Sequence, residues 1–192
     1  MNEKAVRTFL AIPVPDSVAS KKNMLYSTLE DSPANIHWVK NSQLHLTVKY
    51  FGNTPESSFD KIINQVKTVT EKFSPFNLVI EDTGCIPVVE RPRVLYMGVK
   101  GNKASLEDLV SKIEERMNSL GFPRNEKKYF PHVTVAKIKY PQKHTPNIKI
   151  FMRSSYDSIE FTVNRLQLFS SELLPSGTIY TLLQTFPLGE KF

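Results

Sequence analysis

The sequence predicts an α+β fold made of two related lobes that meet at a cleft. Segments with strand-like alternation are interspersed with segments whose apolar residues recur at helical spacing, and no linker separates independent domains. The tetrapeptide at 45–48 (His-Leu-Thr-Val) recurs 87 positions later at 132–135 as His-Val-Thr-Val. Because each copy lies beside a helix-and-hairpin unit, we expect a duplicated lobe with both motifs facing the cleft between the copies.

The first half of the chain shows three strand patterns and two helix patterns. Pro13 ends the first strand, and Asp16 is positioned to cap the first helix. A turn follows the third strand, after which apolar residues recur at the spacing of an amphipathic helix that Pro75 ends. The predicted strands lie at 5–12, 36–39 and 43–51, and the predicted helices lie at 16–29 and 59–73.

The second half contains five predicted strands and two helices. Ser105 and Asp108 have the spacing of a capping box at the start of the longer helix, and Gly121 ends that helix. The last two strands are joined at 174–177, a hairpin-like connection with glycine at its late position. The predicted strands lie at 76–83, 94–99, 129–139, 158–169 and 178–185, and the predicted helices lie at 105–120 and 148–153.

Composition and charge favour a compact domain with an anionic partner. Of the 192 residues, 40% are hydrophobic and 10% aromatic, which argues against disorder. Twenty-five Lys and Arg against nineteen acidic residues leave a net charge of +6, which suits RNA or a nucleotide without requiring either. The basic residues concentrate at 100–103, 124–128 and 137–143, for which ordinary solvated surface is the alternative interpretation.

The single cysteine and the lack of long apolar runs indicate a cytoplasmic location. Cys85 has no partner for an internal disulfide, and its small and apolar neighbours predict a buried, unreactive thiol. The N-terminal residues lack the apolar core of a signal peptide, and no run approaches the roughly 20 residues needed to cross a bilayer. We therefore expect a reducing cytoplasm and no membrane association.

Each repeated motif is expected to present a histidine and a threonine on one face of a strand. Side chains alternate along a strand, so His45 and Thr47 share a face, as do His132 and Thr134, while the aliphatic residues between them face the core. A histidine on a strand is more often structural than catalytic, but duplication of the whole motif in a chain with four histidines favours function. His37 and His144 lack such a context.

Two imidazoles and two hydroxyls are suited to displacement at phosphorus. One imidazole can donate a proton to the departing oxygen while the other accepts one from water, and the hydroxyls can bind nonbridging oxygens. The motifs supply two nitrogen ligands, whereas a zinc site generally needs at least three, so no metal is expected. The sequence contains no phosphate-binding G-x-x-x-x-G-K-[ST] loop, no G-x-S-x-G elbow and no C-x-x-C pair.

Several segments together resemble the 2H phosphoesterases, and in particular the bacterial RNA 2′,3′-cyclic phosphodiesterases, also called 2′-5′ RNA ligases. The similarity extends over nearly the whole chain, and both motifs occur in order with the flanks typical of the family. The matching segments are Arg7–Pro13, Trp38–Val39, His45–Gly52, Arg91–Tyr96, Pro131–Ala136 and Leu168–Leu173, followed by Gly177 and Tyr180.

This resemblance implies a single domain over 1–192, with antiparallel sheets lining a central cleft between two pseudo-symmetric lobes and helices outside. It implies hydrolysis of a terminal ribose 2′,3′-cyclic phosphate to a 2′-phosphate without metal or other cofactor. By similarity, His45 is the general acid that protonates the leaving 3′ oxygen, and His132 is the base that activates water. Thr47 and Thr134 would hold phosphate oxygens.

Three further residues are candidates for substrate binding. Lys137 stands three residues after Thr134, where the family often has arginine; lysine keeps the charge but loses the bidentate fork. Tyr50 stands where phenylalanine is common and could stack on a base or pack in the core. Arg93 could contact phosphate or serve only as a turn residue.

Two other functions are open from the sequence. One is an RNA- or nucleotide-binding module that keeps the cleft without turnover, which the intact motifs argue against. The other is 2′-5′ RNA ligation by reversal of the same chemistry. The expected partner in every case is RNA or a nucleotide, with a 2′,3′-cyclic phosphate end for the enzyme, and no obligatory protein partner is expected.

Overall fold

The computed structural model describes residues 4–175 and 177–189, and this part of the chain forms nine strands and four α-helices. The strands are β1 (Ala5–Pro13), β2 (Ile36–Trp38), β3 (His45–Pro55), β4 (Phe76–Ile86), β5 (Val94–Gly101), β6 (His132–Ile138), β7 (Ile159–Val163), β8 (Arg165–Leu174) and β9 (Gly177–Pro187). The helices are α1 (Ser17–Tyr26), α2 (Phe59–Thr70), α3 (Lys103–Ser119) and α4 (Lys149–Arg153).

The strands form one antiparallel sheet whose two halves have matching order. The sequence of neighbours is β7-β4-β5-β6-β3-β1-β8-β9, and β2 pairs with β6 off this path. Four strands therefore lie on each side of the boundary between β3 and β6, the two strands that carry the repeated motifs. The predicted α+β class with antiparallel strands and a duplicated arrangement is confirmed, and the limits of a single domain over 1–192 stay a prediction.

The two long helices bury the apolar stripes that their sequences predict. In α2 the buried apolar residues recur at three- and four-residue spacing, and in α3 the stripe continues for the whole helix. The two helices pack against each other, and the sheet supplies most of the remaining core, with α1 adding Val18 and Leu25 and α4 adding Phe151. The buried helix positions are Ile62, Val66, Val69, Leu106, Leu109, Val110, Ile113 and Met117.

The helix starts differ from those predicted. Asp16 precedes α1 but its side chain makes no capping hydrogen bond, and the predicted end at Leu29 belongs to a short 3-10 turn after α1. Asn102, not Ser105, caps α3: its side-chain oxygen accepts a hydrogen bond from the Ser105 N–H at 3.1 Å. Both asparagine and serine suit this role, so composition alone does not choose between neighbouring positions.

The predicted strand at 158–169 is two strands. β7 pairs with β4 at one edge of the sheet, whereas β8 pairs with β1 in the other half. The chain crosses between the halves at Asn164, whose carbonyl accepts a hydrogen bond from the Leu188 N–H at 2.9 Å. The buried positions shift by one residue at this crossing, from Ile159 and Val163 to Leu166 and Leu168, so the alternation breaks there without indicating which strand each half pairs with. The predicted hairpin at 174–177 is present as paired β8 and β9, with Ser176 outside the described residues.

A buried ion pair joins β3 to α3. Lys49 is 1% exposed, and its ammonium donates hydrogen bonds to Glu114 Oε2 at 2.7 Å and to the Pro123 carbonyl at 3.0 Å. Asn125 donates to the other carboxylate oxygen at 3.2 Å. Each buried charge therefore has several partners, as a low-dielectric interior requires.

None of the helices in the described ranges is long and apolar enough to cross a membrane.

Candidate active site

The two repeated motifs meet where the halves of the sheet join. β3 and β6 pair through Leu46 and Val133. Because the strands are antiparallel, the residues beside this pair follow a local two-fold relation: His45 lies on the side of Thr134, and Thr47 lies on the side of His132. Both histidines and both threonines are half-buried, while Leu46 and Val133 are buried, so the predicted division of faces is confirmed.

A β-bulge in each motif strand brings a third side chain to the same face. In β3, Ala11 pairs with Thr47 and Leu10 with Lys49, which leaves Val48 as an extra residue. In β6, Tyr96 pairs with Thr134 and Leu95 with Ala136, which leaves Val135 as an extra residue. An extra residue reverses the alternation. Consequently Val48 and Lys49 are both buried, as are Val135 and Ala136.

Tyr50 and Lys137 are the residues that the bulges return to the histidine face. Both are exposed, and both stand three positions after a motif threonine. Strict alternation from His45 or His132 would have placed them on the aliphatic face instead. The structure therefore brings together six of the predicted site residues, three from each strand: His45, Thr47, Tyr50, His132, Thr134 and Lys137.

The two histidines are held in the same tautomer. Nδ1–H of His45 donates to the Gln43 carbonyl at 2.7 Å, and Nδ1–H of His132 donates to the Phe130 carbonyl at 2.8 Å. Each acceptor is the backbone carbonyl two residues earlier. Nε2 of each ring is thereby left for chemistry, and Nε2 of His45 lies 3.1 Å from Thr47 Oγ1.

Burial and neighbouring charge hold the pKa of His45 below its ordinary value. Removal of the ring from water is the largest cause, and the hydrogen bond to Gln43 opposes it. The positive charge of Lys137 lowers the pKa of His45 further, as does His132 when it is protonated. The free protein therefore favours a neutral His45, with Lys137 as a nearby positive charge.

Each histidine packs between a phenylalanine and a tyrosine. His45 stacks on Phe9 with ring centroids 4.8 Å apart and meets Tyr180 edge-on at 5.8 Å. His132 stacks on Phe130 at 5.4 Å and meets Tyr96 edge-on at 5.3 Å. The aromatic partners come from four different segments, so each imidazole is fixed by packing as well as by its Nδ1 hydrogen bond.

Sequence reasoning missed a glycine that makes room for one of these partners. Gly84 in β4 pairs with Tyr96 in β5, and a Cβ at Gly84 would lie 2.2 Å from Tyr96 Cζ. The ring of Tyr96 therefore crosses the space that any other residue would fill. An isolated glycine inside a strand pattern is the signal that could have indicated this close approach.

Tyr129 was also missed. Its hydroxyl donates to the Thr47 carbonyl at 2.8 Å, which ties the segment before β6 to β3 beside the motif threonine. Burial raises the pKa of Tyr129, so the phenol keeps its proton and remains a donor. The hydrogen bond adds a second link between the two motif strands.

Arg93 is not brought to the histidines. It lies just before β5, and its guanidinium stacks on the ring of Tyr140 with 3.9 Å to the centroid. The turn-residue interpretation fits this placement, and a phosphate role for Arg93 stays a prediction. Of the predicted basic clusters, Lys100 is engaged by Glu81 at 2.7 Å and Asp82 at 2.6 Å.

Cys85 is half-buried and not fully buried as predicted, while burial together with nearby Glu90 raises the pKa of its thiol, as expected for an unreactive cysteine. Among the described residues, no group of three or more His, Cys, Asp and Glu side chains is arranged to hold a metal ion. The expectation of a metal-free site stays a prediction.

Comparison with known proteins identifies related chains over most of this sequence. The family model described as the 2′-5′ RNA ligase superfamily matches residues 27–173. An RNA 2′,3′-cyclic phosphodiesterase of Methanothermobacter thermautotrophicus is 30% identical over 95% of this chain and 99% of its own length. One of Aquifex aeolicus is 32% identical over 79% of this chain and 81% of its own.

Solved structures show the same fold. A Thermus thermophilus protein superimposes with a TM-score of 0.80 at 24% identity and covers 97% of this chain and 100% of its own. The E. coli protein LigT, in complex with 3′-AMP, gives a TM-score of 0.77 at 18% identity and covers 97% of this chain and 99% of its own. At these identities the likeness extends to the fold alone.

We predict that Gly84→Ala displaces Tyr96 and changes the surroundings of His132. Overpacking of this kind typically lowers the free energy of unfolding by about 1–3 kcal/mol. The imidazole Cε1–H resonance of His132 should move in Gly84→Ala and in Tyr96→Leu, while that of His45 stays in place. Adding Gly84→Ala to Tyr96→Leu should produce no further shift, since the obstructing ring is gone. An unchanged His132 resonance in both single variants would contradict this positioning role.

Proposed function

The chain belongs to the 2′-5′ RNA ligase superfamily and is a phosphodiesterase of the 2H class, and we propose that it hydrolyses a ribose 2′,3′-cyclic phosphate at the end of an RNA or nucleotide to a 2′-phosphate. The observation that carries this proposal is the pair of matched strands at the junction of the two halves. Each supplies an imidazole with Nε2 available, a hydroxyl on the same face, and a third residue delivered by a bulge.

In the proposed reaction, the cyclic phosphate lies between the two strands. His132 Nε2 accepts a proton from a water molecule while the water oxygen attacks phosphorus. The bond from phosphorus to the 3′ oxygen breaks, and that oxygen takes the proton from His45 Nε2. The product has a 2′-phosphate and a 3′-hydroxyl, and solvent exchange returns the proton from His132 to His45. No metal ion is part of this scheme.

The threonines and Lys137 are proposed to stabilise the charge on phosphorus oxygens. Thr47 and Thr134 present hydroxyl donors on the face of the histidines, and Lys137 adds a positive charge that already acts on His45. A lysine is a mobile point charge, so it can follow the phosphate as its geometry changes, without the fixed bidentate contact of arginine.

Binding of the phosphate also favours the protonated form of His45, which is the form that can act as an acid. Burial and the nearby charge of Lys137 favour its neutral form in the free protein. An anion placed against the imidazole raises its pKa and stabilises the protonated form that the leaving oxygen needs. Substrate binding and protonation of His45 are therefore coupled in this proposal.

We expect His45→Ala and His132→Ala each to lower turnover about 10²- to 10⁴-fold, the usual contribution of a general acid or base. The double variant should be little worse than either single variant, because the two groups act in one step. The assay follows a short RNA with a 2′,3′-cyclic phosphate end in excess EDTA. His144→Ala, at an exposed histidine outside the site, is the matched control. Full activity of a folded His132→Ala protein would rule out the two-histidine reaction.

The pH profiles of kcat/KM and kcat should differ, because the first reports pKa values of the free enzyme and the second those of the substrate complex. The general acid must be protonated, so activity is lost as pH rises through the pKa of His45. Because burial lowers that pKa in the free protein, whereas a bound anion raises it, the alkaline limb of kcat/KM should lie at lower pH than the alkaline limb of kcat, which reports the complex. If the alkaline limbs of kcat/KM and kcat coincided, or if the limb of kcat lay at the lower pH, the coupling between substrate binding and protonation of His45 would be refuted.

A further inference from the structure

A groove of about 630 Å³ opens from the end of the site that holds Thr47 and His132. One wall is the continuation of β3 from Thr47 to Phe51, and the other is the segment 122–130 that leads into β6. Its volume is within the range of pockets that bind small ligands. The groove is continuous with the proposed phosphate position, so whatever occupies it is attached to, or lies next to, the reacting group.

Two exposed aromatic rings line this groove. Tyr50 is 53% exposed and Phe130 is 51% exposed, so both rings present apolar surface to the groove. Phe130 stacks on His132 through one face. It also meets Tyr96 edge-on at 5.4 Å, and about half of its surface, like that of Tyr50, stays exposed to the groove. Unpaired bases stack on exposed aromatic rings of this kind.

Three cations lie along the second wall. Arg124, Lys127 and Lys128 are exposed, and in the described part of the chain none of them forms an ion pair. Glu126 also lines the groove, which leaves the positive charge in excess. A run of unpaired cations beside stacking platforms matches the pattern of a single-stranded nucleic-acid track.

Hydrogen bonds at both ends hold the segment that carries these cations against the core. Lys49 donates to the Pro123 carbonyl at 3.0 Å, and Asn125 donates to Glu114 at 3.2 Å, so the buried ion pair holds the start of the segment. The Tyr129 hydroxyl holds its end against Thr47 at 2.8 Å. With both ends fixed, the backbone that carries the cations stays beside the site, and less ordering is needed on binding.

We propose that this groove binds the nucleotides on the 5′ side of the reacting ribose, and that the enzyme therefore prefers the ends of single-stranded RNA to mononucleotides. The inference rests on the proposed function. A mononucleotide cyclic phosphate has one phosphate, which the motif residues take, and it leaves Arg124, Lys127 and Lys128 without a ligand. An oligonucleotide carries further phosphates and unpaired bases on one side only, and the groove extends from the site on one side.

The test compares adenosine 2′,3′-cyclic phosphate with an adenosine tetranucleotide ending in the same group. We expect kcat/KM to be about tenfold or more higher for the tetranucleotide, given the usual contribution of stacked bases. Raising the salt concentration should lower this ratio with a log–log slope of about −2, as expected for three phosphate contacts with a single strand. This measurement needs only the unmodified protein.

The variant that tests the wall is Arg124→Gln/Lys127→Gln/Lys128→Gln. It should remove most of the tetranucleotide preference and its salt dependence. Lys61→Gln/Lys103→Gln/Lys149→Gln removes the same amount of charge from exposed positions outside the groove, and it should leave the preference intact. Binding of a fluorescently labelled tetranucleotide with a terminal 2′-phosphate, followed by anisotropy, should weaken about tenfold in the groove variant and stay unchanged in the control.

Different failures have different meanings. Absence of hydrolysis with both substrates would overturn the proposed function. Hydrolysis of both with equal kcat/KM and equal salt dependence would leave the proposed function standing and overturn the groove. Equal losses in the groove and control variants would assign the effect to net charge and likewise overturn the proposal.

Discussion

The pairing of Leu46 with Val133 is the contact on which the site depends. It joins the two halves of the sheet, and it does so between the histidine and the threonine of each motif. Since antiparallel strands reverse direction, this one pair sets the imidazole of each strand beside the hydroxyl of the other. The two imidazoles are thereby held on a shared face without any loop to position them, which suits the proposed reaction with its simultaneous proton donation and acceptance.

The bulges at Val48 and Val135 add the third member of each set, and they also link the site to the core. By reversing the alternation, the bulge in β3 turns Tyr50 toward the site and Lys49 toward α3. Lys49 then meets Glu114 and the Pro123 carbonyl, which positions the wall of the groove. One extra residue in a strand therefore explains an exposed tyrosine, a buried lysine and a fixed cationic segment.

The sequence predicts the features that depend on the local spacing of apolar and polar residues. Apolar spacing identifies α2 and α3, and alternation places His45 with Thr47 and His132 with Thr134 on their faces. It does not predict what depends on a partner strand: the bulges, the change of partner strand at Asn164, or the ring of Tyr96 over Gly84. Tyr50 and Lys137 became candidates through family resemblance, and their place on the histidine face follows from the bulges. Arg93, a candidate on the same basis, stacks on Tyr140 instead.

The most direct test of the two-histidine site is the identity of its product in the absence of available metal. A short RNA ending in a 2′,3′-cyclic phosphate, incubated with the protein in excess EDTA, should lose its cyclic-phosphate ³¹P resonance and gain that of a 2′-phosphomonoester, with the 3′ oxygen released as a hydroxyl. Formation of a 3′-phosphate would contradict the direction of proton transfer assigned to His45. A reaction that stops in EDTA and resumes on addition of zinc or manganese would contradict catalysis by the two histidines alone.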